Sequence, residues 1–190
     1  WCAKRLKVPF IADLYDNFEG FGQARIPGMK HLLRLAVCQA QLVTTTSQPL
    51  AELVIHDYAA QAKVVSLPST VDLTTFRSGN KSNARERFGL LPNKQYIGTA
   101  GGLYKDKGVE VIYQAWEKLK HEMPNVHLVL AGPYQPDYPP PEEERVHYLG
   151  SLAHHEISTL FQALDLGIIS ILDTPFGRYC FPQKAYEMLA

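Results

Sequence analysis

Residues 96–133 read YIGTAGGLYKDKGVEVIYQAWEKLKHEMPNVHLVLAGP. Tyr96 to Ala100 is rich in strand-forming residues and runs into Gly101 and Gly102. Val109, Ile112, Trp116, Leu119 and Met123 then recur every three or four residues, which predicts a helix over 107–123 with one buried stripe. Pro124 and Asn125 end it, and Val126 to Ala131 returns to a strand closed by Gly132. Strand, helix, strand at this spacing is a βαβ unit, and such a unit needs parallel pairing.

The same alternation extends both ways. Toward the C-terminus the sequence predicts a Pro- and Glu-rich surface loop over 133–144, a strand over 146–149, a helix over 154–163 and a continuous apolar strand over 166–172 (LGIISIL). A run of that kind suits a sheet covered on both faces. A last helix opens at Pro182 and runs to Ala190. Toward the N-terminus it predicts a strand over 8–14, a helix over 29–40, a short strand over 42–45, and a strand over 63–67. Ser47 is the expected N-cap of a helix that carries Pro49 in its first turn and reaches about Asp57. Residues 68–93 are irregular and polar, with a short helix over 84–88, and read as a connection. The expected class is α/β, with parallel sheets in two incomplete domains: 1–75, a linker over 76–93, and 94–190.

Composition narrows the function. Nineteen basic residues balance nineteen acidic ones among 190 residues, so the chain is not a nucleic-acid binder that works by bulk charge. Cys2, Cys38 and Cys180 are odd in number and far apart, which argues against a disulfide scaffold or a zinc module and for a reducing compartment. No apolar run reaches the ~20 residues of a membrane helix; 31–43 is interrupted by Arg34, Gln39 and Gln41. The chain begins at Trp1 and stops at Ala190 inside a helical pattern, so it reads as a piece of a longer protein.

Two places can carry chemistry. In GTAGGLYKDKG (98–108) a strand leads through Gly101 and Gly102 to a helix start flanked by Lys105 and Lys107. Glycine admits close backbone approach, and a helix N-terminus offers unpaired N–H groups to phosphate. The same residues also make an ordinary tight β–α turn with solvated lysines. In FGRYCFPQKAYEMLA (176–190) Glu187 lies one to two turns into a helix that follows the 166–172 strand. It would then sit near the carboxyl edge of the sheet, where open α/β folds bind ligands. A carboxylate there can accept bonds from a ribose diol; the alternative is a solvated helix residue, with Lys184 a surface charge.

The order of VTTTSQPLAELV (43–54), KVVSLPSTVDLTTF (63–76), GGLYKDKGVEVIYQAWEKL (101–119), VHLVLAGP (126–133), VHYLGSL (146–152), HHEISTLFQALDLGIIS (154–170) and PQKAYEMLA (182–190) resembles family-four glycosyltransferases of the GT-B fold. The resemblance implies two Rossmann-like domains: an acceptor-side domain ending near residue 75 and a donor-binding domain over 94–190. It implies transfer of a sugar from a nucleotide-diphosphate-sugar donor to a glycan or lipid acceptor, with retention and without a metal or other cofactor. It also implies a place in polysaccharide biosynthesis and in the cytoplasm. By the same resemblance Lys107 is the phosphate-binding lysine and Glu187 the ribose-binding glutamate. Pro182, Gln183 and Lys184 form the loop-to-helix start facing the donor, with Gly101, Gly102 and Lys105 on the phosphate side. Gly150 and Ser151 lie where the family contacts the base, and Asp173 and Arg178 are candidates for the donor sugar. ADLYD (12–16) resembles the acceptor-side segment, with Asp13, Tyr15 and Asp16 as candidates.

The chain also departs from the family. Gly102 stands where an arginine is usual, Tyr15 where a histidine is usual, and Tyr179 where the first of two glutamates is usual. A nucleotide-sugar epimerase and a degenerate, non-catalytic nucleotide-binding module therefore remain as alternatives. His154, His155 and Glu156 lack metal-ligand spacing. The P-x-x-P spacings in 133–141 suit a surface loop better than a peptide motif. Lys30, His31 and Arg34 suit a solvated helix face better than a peripheral membrane contact.

Overall fold

Strands β1 (Ile11–Leu14), β2 (Leu42–Thr45) and β3 (Lys63–Ser66) form a parallel sheet in the order β1-β2-β3, with Ile11 opposite Leu42 and Leu42 opposite Lys63. The computed structural model describes residues 2–20, 22, 25–58, 60 and 62–190. It divides into unit 1, made of Trp1–Thr70 with Asp173–Phe181, and unit 2, made of Val71–Leu172 with Pro182–Ala190.

In unit 1, helices α2 (Met29–Gln39) and α3 (Gln48–His56) cover one face of the sheet. Ala12 and Leu14 of β1 point into that core with Val43, Val37, Leu50 and Val54, while Ile11 and Asp13 point out. This is the period-two burial of a strand with one covered face. Ser47 caps α3 as expected: its hydroxyl accepts from the Leu50 N–H, and Pro49 sits in the first turn. Strand β1 starts three residues later than expected, because Pro9 has no N–H to give to a ladder. Helix α1 (Cys2–Leu6), where the sequence showed only a basic lead-in, buries none of its residues.

Unit 2 carries β4 (Gln95–Ala100), β5 (Val126–Ala131), β6 (Val146–Tyr148) and β7 (Leu166–Gly167), all parallel, in the order β6-β5-β4-β7. All six residues of β5 are buried, as the sandwiched position demands. Leu128 and Leu130 meet Ile112 and Trp116 of α5 (Val109–Glu122) on one face. Val129 and Ala131 meet Leu160 and Ala163 of α6 (His154–Ala163) on the other.

Three expectations change. Met123 is the C-cap of α5 and is exposed, so the buried stripe ends at Leu119. The LGIISIL run pairs only at Leu166 and Gly167. As β7 it is an edge strand bonded to β4 alone, and Leu166 is 60% exposed. Residues 76–93, expected as a linker, lie in unit 2. Helix α4 (Lys81–Arg87) packs on α6, and Ala84 and Leu90 join the core. Buried Arg85 fixes this arrangement. Its guanidinium donates to the Ala163 and Pro92 carbonyls and to Asp165 Oδ2, and that carboxylate also accepts from the Tyr96 N–H.

Candidate functional site

The carboxyl ends of the unit 2 strands converge on a rim rich in glycine. Beyond β4 come Gly101 and Gly102, beyond β5 Gly132, and beyond β6 Gly150 and Ser151. Gly101 and Gly132 have φ of 126° and 123°, backbone that side-chain-bearing residues rarely adopt. A Cβ on Gly132 would overlap the Gly101 backbone, so the two turns pack together only with glycine at 132. The Gly132 N–H donates to the Gly150 carbonyl at 2.7 Å, and the Tyr148 hydroxyl donates to the Gly132 carbonyl at 2.8 Å. With the Gly101 N–H donating to the Ala131 carbonyl, these bonds tie the turns after β4, β5 and β6 together.

Above that layer the chain passes through a single 3-10 turn, Lys105–Lys107, and enters α5 at Gly108, whose φ is 77°. The expected helix over 107–123 therefore begins two residues later, and Lys107 stands on the turn just before it. Ser170 Oγ donates to the Lys107 carbonyl at 2.6 Å, which fixes the lysine backbone to the segment after β7.

The second cation comes from α7 (Gln183–Leu189). Lys184 Nζ donates to Thr99 Oγ1 at 3.4 Å and lies 3.1 Å from where a Cβ on Gly101 would be. Burial pushes the Lys184 ammonium below its ordinary pKa; Glu187 opposes that shift and Lys107 adds to it. Lys107, Lys184 and Glu187, separated by up to 80 residues of sequence, are thus electrostatic neighbours beside the Gly101 turn. Two ammonium groups that repel one another, one of them half-buried, make a place that an anion would stabilise. Glu187, one turn along the same helix as Lys184, adds an acceptor for hydroxyl groups.

The other expected residues fall as follows. Lys105 turns toward Glu110 and stands over the Tyr138 ring, and both partners raise its pKa. Gly102 packs so closely on the Tyr104 ring that a Cβ would lie 2.6 Å from it. Pro182 is the N-cap residue of α7, and Gln183 its first residue. Asp173 and Arg178 belong to the segment counted with unit 1 and bond to each other through two guanidinium nitrogens. In unit 1, Asp13 accepts from Thr44 Oγ1, Tyr15 is 54% exposed with its carbonyl accepting from Thr46 Oγ1, and Asp16 follows at the carboxyl end of β1. Lys30 and Arg34 both pair with Glu19. His154 packs edge-on against Phe76, and Glu156 accepts from the Ala153 N–H and pairs with Arg87.

Sequence reading missed Thr99 and Ser170, which hold the two lysines. Thr99 is the one aliphatic hydroxyl of β4, and Ser170 the one hydroxyl of the apolar 166–172 run, and that is the signal that could have found them.

Residues 94–190 match the family model described as glycosyl transferases group 1. A D-inositol 3-phosphate glycosyltransferase of Mycobacterium ulcerans is 26% identical over 157 residues, covering 76% of this chain and 33% of its own. Sucrose-phosphate synthase from Thermosynechococcus elongatus superposes with a TM-score of 0.74 at 16% identity, over 100% of this chain and 51% of its own. Anabaena Alr3699/HepE, solved with UDP, superposes with a TM-score of 0.71 at 23% identity, over 93% of this chain and 50% of its own. The chain spans about a third of the length of the first relative and about half of the two solved chains. Its two parallel α/β sheets are those of the GT-B architecture.

Proposed function

The chain belongs to the group 1 glycosyltransferases, and from that premise we propose that unit 2 binds the diphosphate and ribose of a nucleotide-sugar donor whose sugar passes to an acceptor hydroxyl. The observation that carries this reading is the grouping of Lys107, Lys184 and Glu187 beside the Gly101 turn.

The chemical problem in sugar transfer is negative charge growing on the departing diphosphate. Fixed cations and N–H dipoles stabilise such charge more in the transition state than in the ground state. Lys107 and Lys184 supply the cations, and the start of α5 supplies the positive end of a helix dipole. Gly101 lets the phosphates approach the backbone, and a side chain at that position would crowd Lys184. Glu187 accepts from the ribose hydroxyls. Gly102, Pro182 and Gln183 line the approach, Lys105 adds peripheral positive charge, and Gly150 and Ser151 face the base. The UDP in the Anabaena relative puts UDP first among nucleotides to test.

Donor-sugar contacts fall to Asp173 and Arg178, and acceptor contacts to Asp13, Tyr15 and Asp16. The transfer is retaining, as the family resemblance implies, and the lysines and the α5 dipole carry the leaving-group charge in place of a metal. Residues 1–75 are the acceptor side and 94–190 the donor side of a cytoplasmic enzyme of polysaccharide synthesis. No helix among the described residues is long and apolar enough to cross a membrane.

Product analysis of the full protein that contains this chain tests the reading. A transferase consumes donor only when an acceptor is present and releases nucleoside diphosphate. Interconversion of the donor without acceptor would instead identify an epimerase. Nucleotide binding with neither product would identify a non-catalytic module, to which Gly102 and Tyr15 point.

A further inference from the structure

Lys184 is the second residue of α7, so its side chain leaves from the first turn of that helix. The first turn is the positive end of a helix dipole, where a cation is disfavoured, and no acidic residue shares it. The side chain runs to the end of β4, where Nζ meets Thr99 Oγ1 at 3.4 Å and lies 3.1 Å from the place of a Cβ on Gly101. The bonded partner of this ammonium is thus a neutral hydroxyl, itself on a buried residue.

Two charged groups act on Lys184. Lys107, on the 3-10 turn, repels the ammonium, and Glu187, one turn along α7, attracts it. Lys105, on the same 3-10 turn, is directed to Glu110. Helix α6 also packs on α7, but its charged groups His154, His155 and Glu156 lie in its own first turn, where His154 meets Phe76 and Glu156 pairs with Arg87. Two lysines and the positive end of a helix therefore face one carboxylate. Lys107 is exposed and keeps its water; Lys184 is half-buried and does not.

Such a corner can relieve its excess positive charge in two ways. Lys184 can release its proton to solvent, or an anion can enter. Burial first, and then Lys107, hold the Lys184 ammonium below its ordinary pKa, against the pull of Glu187. A diphosphate beside the two lysines acts the opposite way, because a close opposite charge favours the charged amine.

We propose that Lys184 is the group through which the donor site takes up a proton: as the diphosphate enters, the amine binds a proton from solvent and holds the phosphates as a full ammonium. The proposal rests on the diphosphate reading of unit 2 and adds a coupling to it. Well below the free-site pKa, Lys184 is protonated with or without ligand, and no proton moves. Between the free-site and bound values each binding event takes up close to one proton, and affinity falls as pH rises, by at most about tenfold per pH unit. That window opens below the ordinary lysine range. Departure of the nucleoside diphosphate returns the proton to solvent.

The test is calorimetric titration of the 190-residue chain with UDP at about pH 7, 8.5 and 9.5, each in two buffers of different ionisation enthalpy. The difference in heat between the buffers counts the protons taken up. The wild type is expected to take up a fraction of a proton that grows with pH. Lys184→Arg keeps the positive charge but does not titrate in this range, and Lys184→Met removes both, so each should lose that uptake. Ionisation of UDP itself is common to all three proteins and drops out of the comparison. Lys184→Arg decides the matter if Lys184→Met does not fold by circular dichroism or does not bind. No uptake by the wild type, or equal uptake in a folded variant that binds UDP, would overturn the proposal and leave the donor reading standing. Failure of both UDP and inorganic pyrophosphate to bind the wild type would overturn the donor reading and the proposal with it.

Discussion

Lys184 Nζ meets Thr99 Oγ1 at 3.4 Å, so a lysine on α7 is held by a hydroxyl on β4 at the edge where that strand turns through Gly101. The contact joins the last helix of the chain to the glycine turn that sits beside Lys107. It also explains why the second cation was not separable from a surface charge in the sequence. Only the fold buries it.

If the two lysines share a diphosphate, each should count. Lys107→Ala is expected to weaken nucleoside diphosphate binding by about 1.5–3 kcal/mol, the scale of hydrogen bonds to charged groups. Lys184→Met, which keeps the apolar stem, should cost a similar amount. Calorimetry on folded variants measures both. Unchanged affinity in either one removes that lysine from the site.

Glu187→Gln separates ribose from phosphate. The variant should bind UDP more weakly while its affinity for inorganic pyrophosphate holds or rises, because a nearby negative charge has been removed. Equal losses for both ligands would assign Glu187 to holding Lys184 rather than to holding the nucleotide.

The order of strands and helices was legible because hydrophobic period changes cleanly from two to three and four along the chain, as at Tyr96–Ala100 and Val109–Leu119. The rim could be read from the glycines at 101, 102 and 150. The role of residues 76–93 could not. Arg85 looks like a polar loop residue until Asp165, eighty positions away, takes its charge and the Ala163 and Pro92 carbonyls accept from two more of its donors. The unpaired length of LGIISIL was equally hidden, since a run of apolar residues does not say whether a neighbouring strand is present.

Arg85→Leu should therefore destabilise unit 2 by about 2–3 kcal/mol, because it leaves Asp165 and two carbonyls without their buried donor. Burial alone would raise the Asp165 pKa, but Lys81, the Tyr96 N–H and Arg85 together hold it below its ordinary value. A depressed carboxylate contributes stability above its unfolded pKa of about 4 and loses it as pH falls through the lower folded value. Denaturant melts of the wild type should show that acid-side loss, and the variant should show less of it.

A second pH effect comes from His127 on β5 and His147 on β6, whose rings stack with Nδ1 and Nε2 2.9 Å apart. Burial lowers both pKa values, and for His127 the charges of His147, Lys94 and Arg145 lower it further against Glu144. Below the unfolded histidine value of about 6.5 the unfolded chain takes up protons that the folded pair refuses, so stability falls as pH falls. His127→Gln should flatten the slope of stability against pH between about 6.5 and 5. An unchanged slope would exclude the pair as its source.

The central claim is that unit 2 is a nucleoside diphosphate site, and thermal unfolding against UDP, GDP, ADP, CMP and NAD tests it most directly. A ligand at 100 times its dissociation constant adds about 2.7 kcal/mol, or about 5–10 °C for a chain of this size. The account predicts a shift of that order with one diphosphate, cut by about half or more in Lys107→Ala and absent with CMP and NAD. A folded chain whose melting point moves with none of the five, or moves equally in the Lys107→Ala variant, would contradict it.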